Sequence, residues 1–462
     1  MKWRRIEQSL SIIPVIPNKV PNQFGSSDPG SPLNYLMKQI SRFWSQGAGL
    51  SLWNTSILIF VIGVLIRLAF IAIAHPYQDL SRYELERTAI SLSRTGIFGN
   101  PYAIPTGPTA HVSPGYTIIL AGIFRLFGEG TTGEIVKELV STIVTALGFA
   151  LLPFAADLTL GKATVGAAAG MICALFPWKP MVQIDGDWET PYTALFLTLL
   201  VPMTIDLWKR KTFNWRNAVM HGLLWGFALL FASVLLPLLP VLALTGLWFL
   251  RRAHPGRYVR FVAIEFLVAA VCLLPWVVRN QNALGSPIAT RSNLGLELRV
   301  SNNDDATSDQ RTNLLLGVYD KYHPLQNVGE AKRVRQLGEV NYNKWAKARA
   351  TDWIRAHPKR FVVLTLGRIR DFWFYPDPST LKAIFGDLTA LLGLIGLLQV
   401  WKHDKMNGAV LTCVLLVYSA PSYLIHVGAR QRLPVDWLLM LLSVAAIARF
   451  IRRIPARETA SF

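Results

Sequence analysis

The chain has 462 residues, of which 52% are apolar and only 16% charged, and 47 Lys and Arg against 28 Asp and Glu give a formal charge of +19. An ordinary soluble domain carries roughly 25% charged residues, so a soluble enzyme, a disulfide scaffold and a disordered chain are all excluded. Apolar runs approach twenty residues, the length that crosses about 30 Å of hydrocarbon. The basicity therefore calls for a membrane explanation rather than a nucleic-acid partner.

Residues 1–50 are polar and rich in Pro, Ser and Asn, without the early apolar core of a signal peptide, and read as a largely disordered cytoplasmic extension. The first span follows at about 52–74. The stretch 114–127 is too short to cross and reads as an interfacial segment on the outer face. Residues 135–157 then run inward, 163–181 outward and 191–208 inward, ending at Lys209-Arg210-Lys211.

The segment 217–250, with Pro237 and Pro240 inside it, reads as two short spans joined by an outer hairpin. Residues 257–277 go out. A polar section over 278–380 stays outside, with Trp353 to Phe374 forming an amphipathic helix along the membrane. Residues 383–401, 408–426 and 434–450 complete about ten spans. Basic anchors at Lys209–Lys211, Arg251-Arg252, Lys402, Lys405, Arg449 and Arg452-Arg453 set both termini in the cytoplasm. The units are thus an extension (1–50), a transmembrane module (51–277) with its first outer loop at 75–134, an outer loop (278–380) and the last spans with a short tail (381–462). Cys173, Cys272 and Cys413 lie in apolar segments and read as small packing residues.

Three polar clusters fall at the outer mouths of these spans. The first, Asp79-Leu80-Ser81-Arg82-Tyr83-Glu84-Leu85-Glu86-Arg87, begins an amphipathic helix whose apolar side holds Leu85, Ala89 and Leu92 and which Gly96 is suited to end. At about 100° per residue, Asp79, Tyr83 and Glu86 share a polar stripe, and Glu84 lies on another. The second, Gly107 to Tyr116, is a Gly- and Pro-fixed turn that carries His111 beside the membrane. The third, Asp185-Gly186-Asp187-Trp188-Glu189, sets three carboxylates between two spans, where they must be paired, solvated or bound to a cation.

Basic residues stand at the same level: Arg279-Asn280 at the end of an outward span, and Arg430-Gln431-Arg432 before the last one. Arginine presents a planar fork to phosphate. Carboxylates, one His and several Arg on one face suit a group transfer with a phosphate leaving group. A carboxylate would act as general base, and the Arg residues would neutralise the departing phosphate. No nucleotide-binding loop is present, so an activated group would arrive already attached to a lipid.

These residues, in this order, resemble the GT-C superfamily of membrane glycosyltransferases, in particular the family-39-like bacterial enzymes related to protein mannosyltransferases and the lipid A aminoarabinose transferase. Asp79 to Tyr83 is similar to that family's Asp-Glu-x-x-Tyr motif, with Leu80 in place of the Glu. Counting back from Ala89 instead aligns the family's acid with Glu84. Gly107 to Tyr116 with Leu126-Phe127-Gly128 resembles the Pro-rich turn and juxtamembrane helix, and Asp187-Trp188-Glu189 the second-loop acids. Pro275 to Asn280 and Arg430 to Asp436 resemble later landmarks.

The resemblance implies an all-α polytopic fold in a bacterial inner membrane. The implied reaction is an inverting transfer of a sugar from a polyprenyl phosphate to an extracytoplasmic glycan, lipid or protein hydroxyl. Asp79, Glu84 or, third, Glu86 would be the base; His111, Arg279, Arg430 and Arg432 would hold the phosphate. Asp187 and Glu189 would orient substrate or bind a divalent cation, and no cofactor is otherwise required. Arg82, Tyr83, Tyr116 and Asn280 are further candidates for the site. A transporter or flippase of lipid-linked sugars, or a non-catalytic assembly subunit, is the rival reading. A transporter should show inverted repeats and charges deep in its spans.

Overall fold

The computed structural model describes residues 51–79, 82–176, 186–251, 255–374 and 380–451. The N-terminal extension, Leu80, Ser81, Asp185 and the Arg252 and Arg452-Arg453 anchors lie outside the described residues. The described chain is helical throughout, joined by turns, with two isolated bridges and no longer strand.

Helix α1 (Leu52–Ala74) starts on a Ser51 side chain that accepts from the Asn54 amide and ends at His75 in the left-handed region. Such an N-cap is worth about 1 kcal/mol. Helix α2 (Glu84–Thr95) ends on Gly96, whose φ of 73° suits glycine. Pro114 opens α3 (Pro114–Phe127) in its first turn, where a missing N–H costs nothing. Helix α4 (Thr131–Ala150) gives way at Leu151 to α5 (Leu152–Leu160), with Pro153 in the first turn, so the crossing expected at 135–157 is one path made of two helices. Then follow α6 (Ala163–Leu175), α7 (Thr190–Arg210), α8 (Trp215–Phe231), α9 (Leu238–Leu250) and α10 (Pro255–Leu284).

The expected outer loop is a small helical layer: α11 (Leu294–Ser301), α12 (Gln310–Leu315), α13 (Val318–Tyr322), α14 (Val328–Leu337), α15 (Glu339–Ala356) and α16 (Pro358–Trp373). Helices α17 (Thr380–His403), α18 (Lys405–Leu424) and α19 (Ala429–Ile451) close the chain.

Among the described residues, eight helical stretches are long and apolar enough to cross a membrane. Helices α6 and α8, 13 and 17 residues long, occupy the remaining two expected crossings. The chain is an integral membrane protein. Helix α7 is the most buried of the eight and α1 the least, so α7 is the central post and α1 faces lipid. The main apolar core gathers Leu197, Leu200 and Val201 of α7, Trp225 of α8, Val410 and Val414 of α18 and Leu438 to Leu442 of α19.

Four expectations are corrected. The first-loop helix begins at Glu84, not Asp79, because the chain first makes a 3-10 turn at Pro76–Gln78 and Asp79 caps it in extended backbone. Asp79 and Glu86 therefore share no helical stripe. Helix α10 runs on past residue 277 to Leu284, so Arg279 and Asn280 sit inside it. Arg430 and Arg432 belong to the first turn of α19. The stretch from Trp353 to Phe374 is two helices, because Pro358 disfavours the helical region at His357, which has φ −127° and ψ 53°.

Candidate active site

Glu84 is the first residue of α2, where the exposed helix N–H groups favour an acid. Its side chain nevertheless turns inward and is buried. His323, just after α13, places Nε2 3.3 Å from Glu84 Oε1. The Leu325 amide donates to His323 Nδ1 at 3.1 Å, so the neutral ring carries its proton on Nε2, facing the carboxylate. Burial holds His323 down at about 4.

His111 lies in the turn before α3, with Nδ1 3.0 Å from the Tyr102 hydroxyl. Burial, then the charges of Arg291, His323 and Arg430, keep its pKa well below the usual imidazole range. Burial likewise raises Glu84, against its own backbone hydrogen bond and the pull of Arg430 and Arg291. One ligand atom from each of Glu84, His111 and His323 lies within 4.8 Å of the others. Two imidazoles and a carboxylate suit a first-row divalent ion, zinc included. Such an ion would displace the proton His323 now turns to Glu84.

Two guanidinium groups approach this trio. Arg291 donates from Nε to His111 O at 2.8 Å and from Nη1 to Glu189 Oε1 at 3.2 Å. Arg430 lies over the Trp188 ring, 3.6 Å from its centroid, and makes no hydrogen bond among the described residues. The Tyr83 ring stands 5.4 Å from Trp188, and burial and the charge of Asp187 raise its phenol. Asp79 is exposed ahead of α2.

The other expected phosphate ligands are engaged elsewhere. Arg279 donates to Thr109 O at 2.6 Å and also to Asn280 Oδ1 and Phe98 O, between the Phe98 and Trp276 rings. It clamps the turn that carries His111. Asn280 donates to Ile288 O at 2.8 Å. Arg432, 2% exposed, donates to Asp436, Trp373 O and Gly386 O, joining α16 and α17 to α19. A guanidinium whose donors already satisfy buried carbonyls has no fork left for a phosphate.

The acids divide in the same way. Glu86 is fully buried against Lys137 Nζ at 2.7 Å, and burial, opposed by that ammonium, pushes it up to about 7. Lys137 also binds Glu134 at 2.7 Å and Asp187 at 2.9 Å, so Asp187 faces a lysine. Arg82 pairs with Glu134 and donates to Glu129 O. The Tyr116 hydroxyl donates to Gly186 O and acts as a strut beneath the second acidic segment.

Sequence reasoning missed His323, Arg291, Lys137, Glu339 and His426. Lys137 carries a signal, since a lysine within an apolar run must find a partner. Glu339 accepts from the Ala110 amide at 2.8 Å and from Thr109 and Ser292, tying α15 to the His111 turn. Tyr319 joins the His323 side to His426, its hydroxyl 3.3 Å from the His426 ring and its own ring stacked on His323. Apart from the Tyr319–His323 stack, these are long-range pairings with no local pattern.

No family model and no curated protein matches the chain. Solved structures do. The archaeal oligosaccharyltransferase AglB from Archaeoglobus fulgidus, in complex with an inhibitory peptide and a dolichol-phosphate, matches with a TM-score of 0.52 at 12% identity over 86% of this chain and 50% of that one. The Archaeoglobus fulgidus oligosaccharyltransferase in complex with Zn and sulfate matches with a TM-score of 0.50 at 13% identity, over 85% and 49% of the two chains. The chain thus spans about half the length of these proteins. It shares the fold of these two archaeal oligosaccharyltransferase structures over most of its own length.

Proposed function

We propose that the protein moves a sugar from a polyprenyl-phosphate donor to an acceptor hydroxyl on the extracytoplasmic face, with inversion. The observation that carries this reading is a buried carboxylate of raised basicity, Glu84, beside Arg430, a guanidinium with no hydrogen-bond partner among the described residues. The acceptor oxygen attacks the anomeric carbon as the carbon–oxygen bond to phosphate breaks, and Glu84 takes the acceptor proton. Arg430 and Arg291 stabilise the phosphate charge that develops. His323, donating to Glu84, orients it. The dolichol-phosphate in the archaeal structure supports a lipid-phosphate donor. The basic loops between spans support cytoplasmic termini and an outer site in a bacterial inner membrane.

Asp79 is the rival base; it is exposed ahead of α2, whereas Glu84 is buried beside His323. The assay is sugar transfer from a synthetic polyprenyl-phosphate sugar in proteoliposomes. Glu84→Gln should lose activity at least 100-fold and Asp79→Asn less than tenfold. Wild-type turnover in Glu84→Gln would rule out the assignment. Lipid-linked sugar crossing the bilayer without any product would favour a transporter.

The Glu84–His111–His323 trio also supports a second reading, a bound divalent ion that would supply Lewis-acid stabilisation to the phosphate. The zinc in the second archaeal structure supports it.

A further inference from the structure

Lys137 lies in the second turn of a membrane helix, yet its side chain is only 3% exposed. Burying an ammonium there is costly unless each of its donors is satisfied. All three are: Glu86 Oε1 at 2.7 Å, Glu134 Oε2 at 2.7 Å and Asp187 Oδ1 at 2.9 Å. The carboxylates come from α2, from α4 and from the segment before α7. Glu86 Oε2, on a fully buried side chain, has no hydrogen-bond partner among the described residues. Carboxylate oxygens drawn from separate elements around one positive centre form the oxygen shell that a divalent cation takes. Arg82 binds Glu134 as well, so a second cation meets the same group of carboxylates.

We infer that Lys137 is a tethered cation: its ammonium takes the place of a divalent metal ion among Glu86, Glu134 and Asp187 and thereby positions the donor site. The route to that site is short. Asp187 is followed by Trp188, on which Arg430 stacks, and by Glu189, which holds Arg291. Fixing Asp187 fixes the seats of both guanidinium groups. Lys137 touches no reacting atom and is a positioning residue. The activity part of the test rests on the sugar-transfer reading; the metal count does not.

Full-length protein in lipid nanodiscs is titrated with Mn2+, and bound equivalents are counted by electron paramagnetic resonance. Wild type and Glu86→Gln should bind equal numbers, because the cluster has no room for a metal beside the ammonium. Lys137→Met should bind one equivalent more than wild type, and Asp187→Asn on that background should remove it. Lys137→Arg should gain none. Sugar transfer by Lys137→Met should rise at least tenfold with Mn2+, beyond any rise in wild type, a rescue that a purely structural lysine would not show.

If Lys137→Met fails to fold, the double variant Lys137→Met/Glu134→Gln removes one charge of each sign and should still gain an equivalent at weaker affinity. Loss of an equivalent on Glu86→Gln in the wild-type background would overturn the inference. So would a folded Lys137→Met protein, single or combined with Glu134→Gln, that gains none. If wild type transfers no sugar at all, the sugar-transfer reading fails while the Mn2+ count still decides the role of Lys137.

Discussion

The Arg430 guanidinium lies 3.6 Å above the Trp188 ring, so a residue of the last span rests on the second acidic segment. The stack aims the cation without using its N–H donors. Such contacts are worth about 0.5–2 kcal/mol, and the donors stay available for a phosphate.

Arg430→Ala should raise KM for the lipid donor and lower kcat/KM by at least 30-fold. Arg430→Lys should recover little, since an ammonium does not offer the planar fork. Trp188→Ala should produce a smaller defect in the same direction. Steady-state kinetics over a donor range checks this, and an unchanged donor KM in Arg430→Ala would remove Arg430 from the donor site.

Arg279 should behave in the opposite way. Its bonds to Thr109 O and Phe98 O and its two ring contacts hold the His111 turn. Arg279→Ala should cost about 2–4 kcal/mol of stability. Its Tm in detergent should fall by several degrees, while the donor KM of the folded fraction stays within threefold of wild type.

Acid should loosen the outer layer from the spans. His426 is buried between α18 and α19, with Ser301 Oγ 3.2 Å from its Nδ1, and burial together with Arg430, Arg368 and His323 pushes it down to about 3. Its unfolded value is about 6.5, so the unfolded chain binds the extra proton as pH falls through that range. The stability contributed by the neutral ring is complete above about 6.5 and declines towards 3. Between pH 7 and pH 5 the loss is about 2 kcal/mol. Thermal unfolding in nanodiscs should show this contribution, and His426→Gln should make the decline between pH 7 and pH 5 shallower than in wild type, the buried His111 and His323 keeping the rest.

The metal reading carries its own test. Zn2+ titrated into apo protein should bind at the trio, and His111→Ala or His323→Ala should each weaken that binding at least tenfold. A chelator should lower turnover, with Zn2+ restoring it. Calorimetry showing no Zn2+ binding that depends on these residues would leave the trio to proton chemistry alone.

Much of the fold was legible because a membrane span is a statement about length and apolarity. Leu52–Ala74 and Pro114–Phe127 fall where the apolar pattern ends them. The break at Pro358 is written in the proline, which disfavours helix at the residue before it although the amphipathic pattern runs across both helices. The site was only half legible. Glu84, His111 and Arg430 stand in motifs, but which arginine is uncommitted depends on carbonyls more than a hundred residues away, as with Arg279 and Phe98. His323 and Arg291 lie in a polar stretch without periodicity, and only folding brings them to Glu84 and Glu189.

Sugar transfer by Glu84→Gln, measured beside Asp79→Asn with a polyprenyl-phosphate sugar donor, tests the central claim most directly. The account predicts that Glu84→Gln falls at least 100-fold in kcat with donor KM within threefold of wild type, and that Asp79→Asn keeps more than a tenth of wild-type turnover. Full turnover in Glu84→Gln, with activity lost in Asp79→Asn, would contradict it.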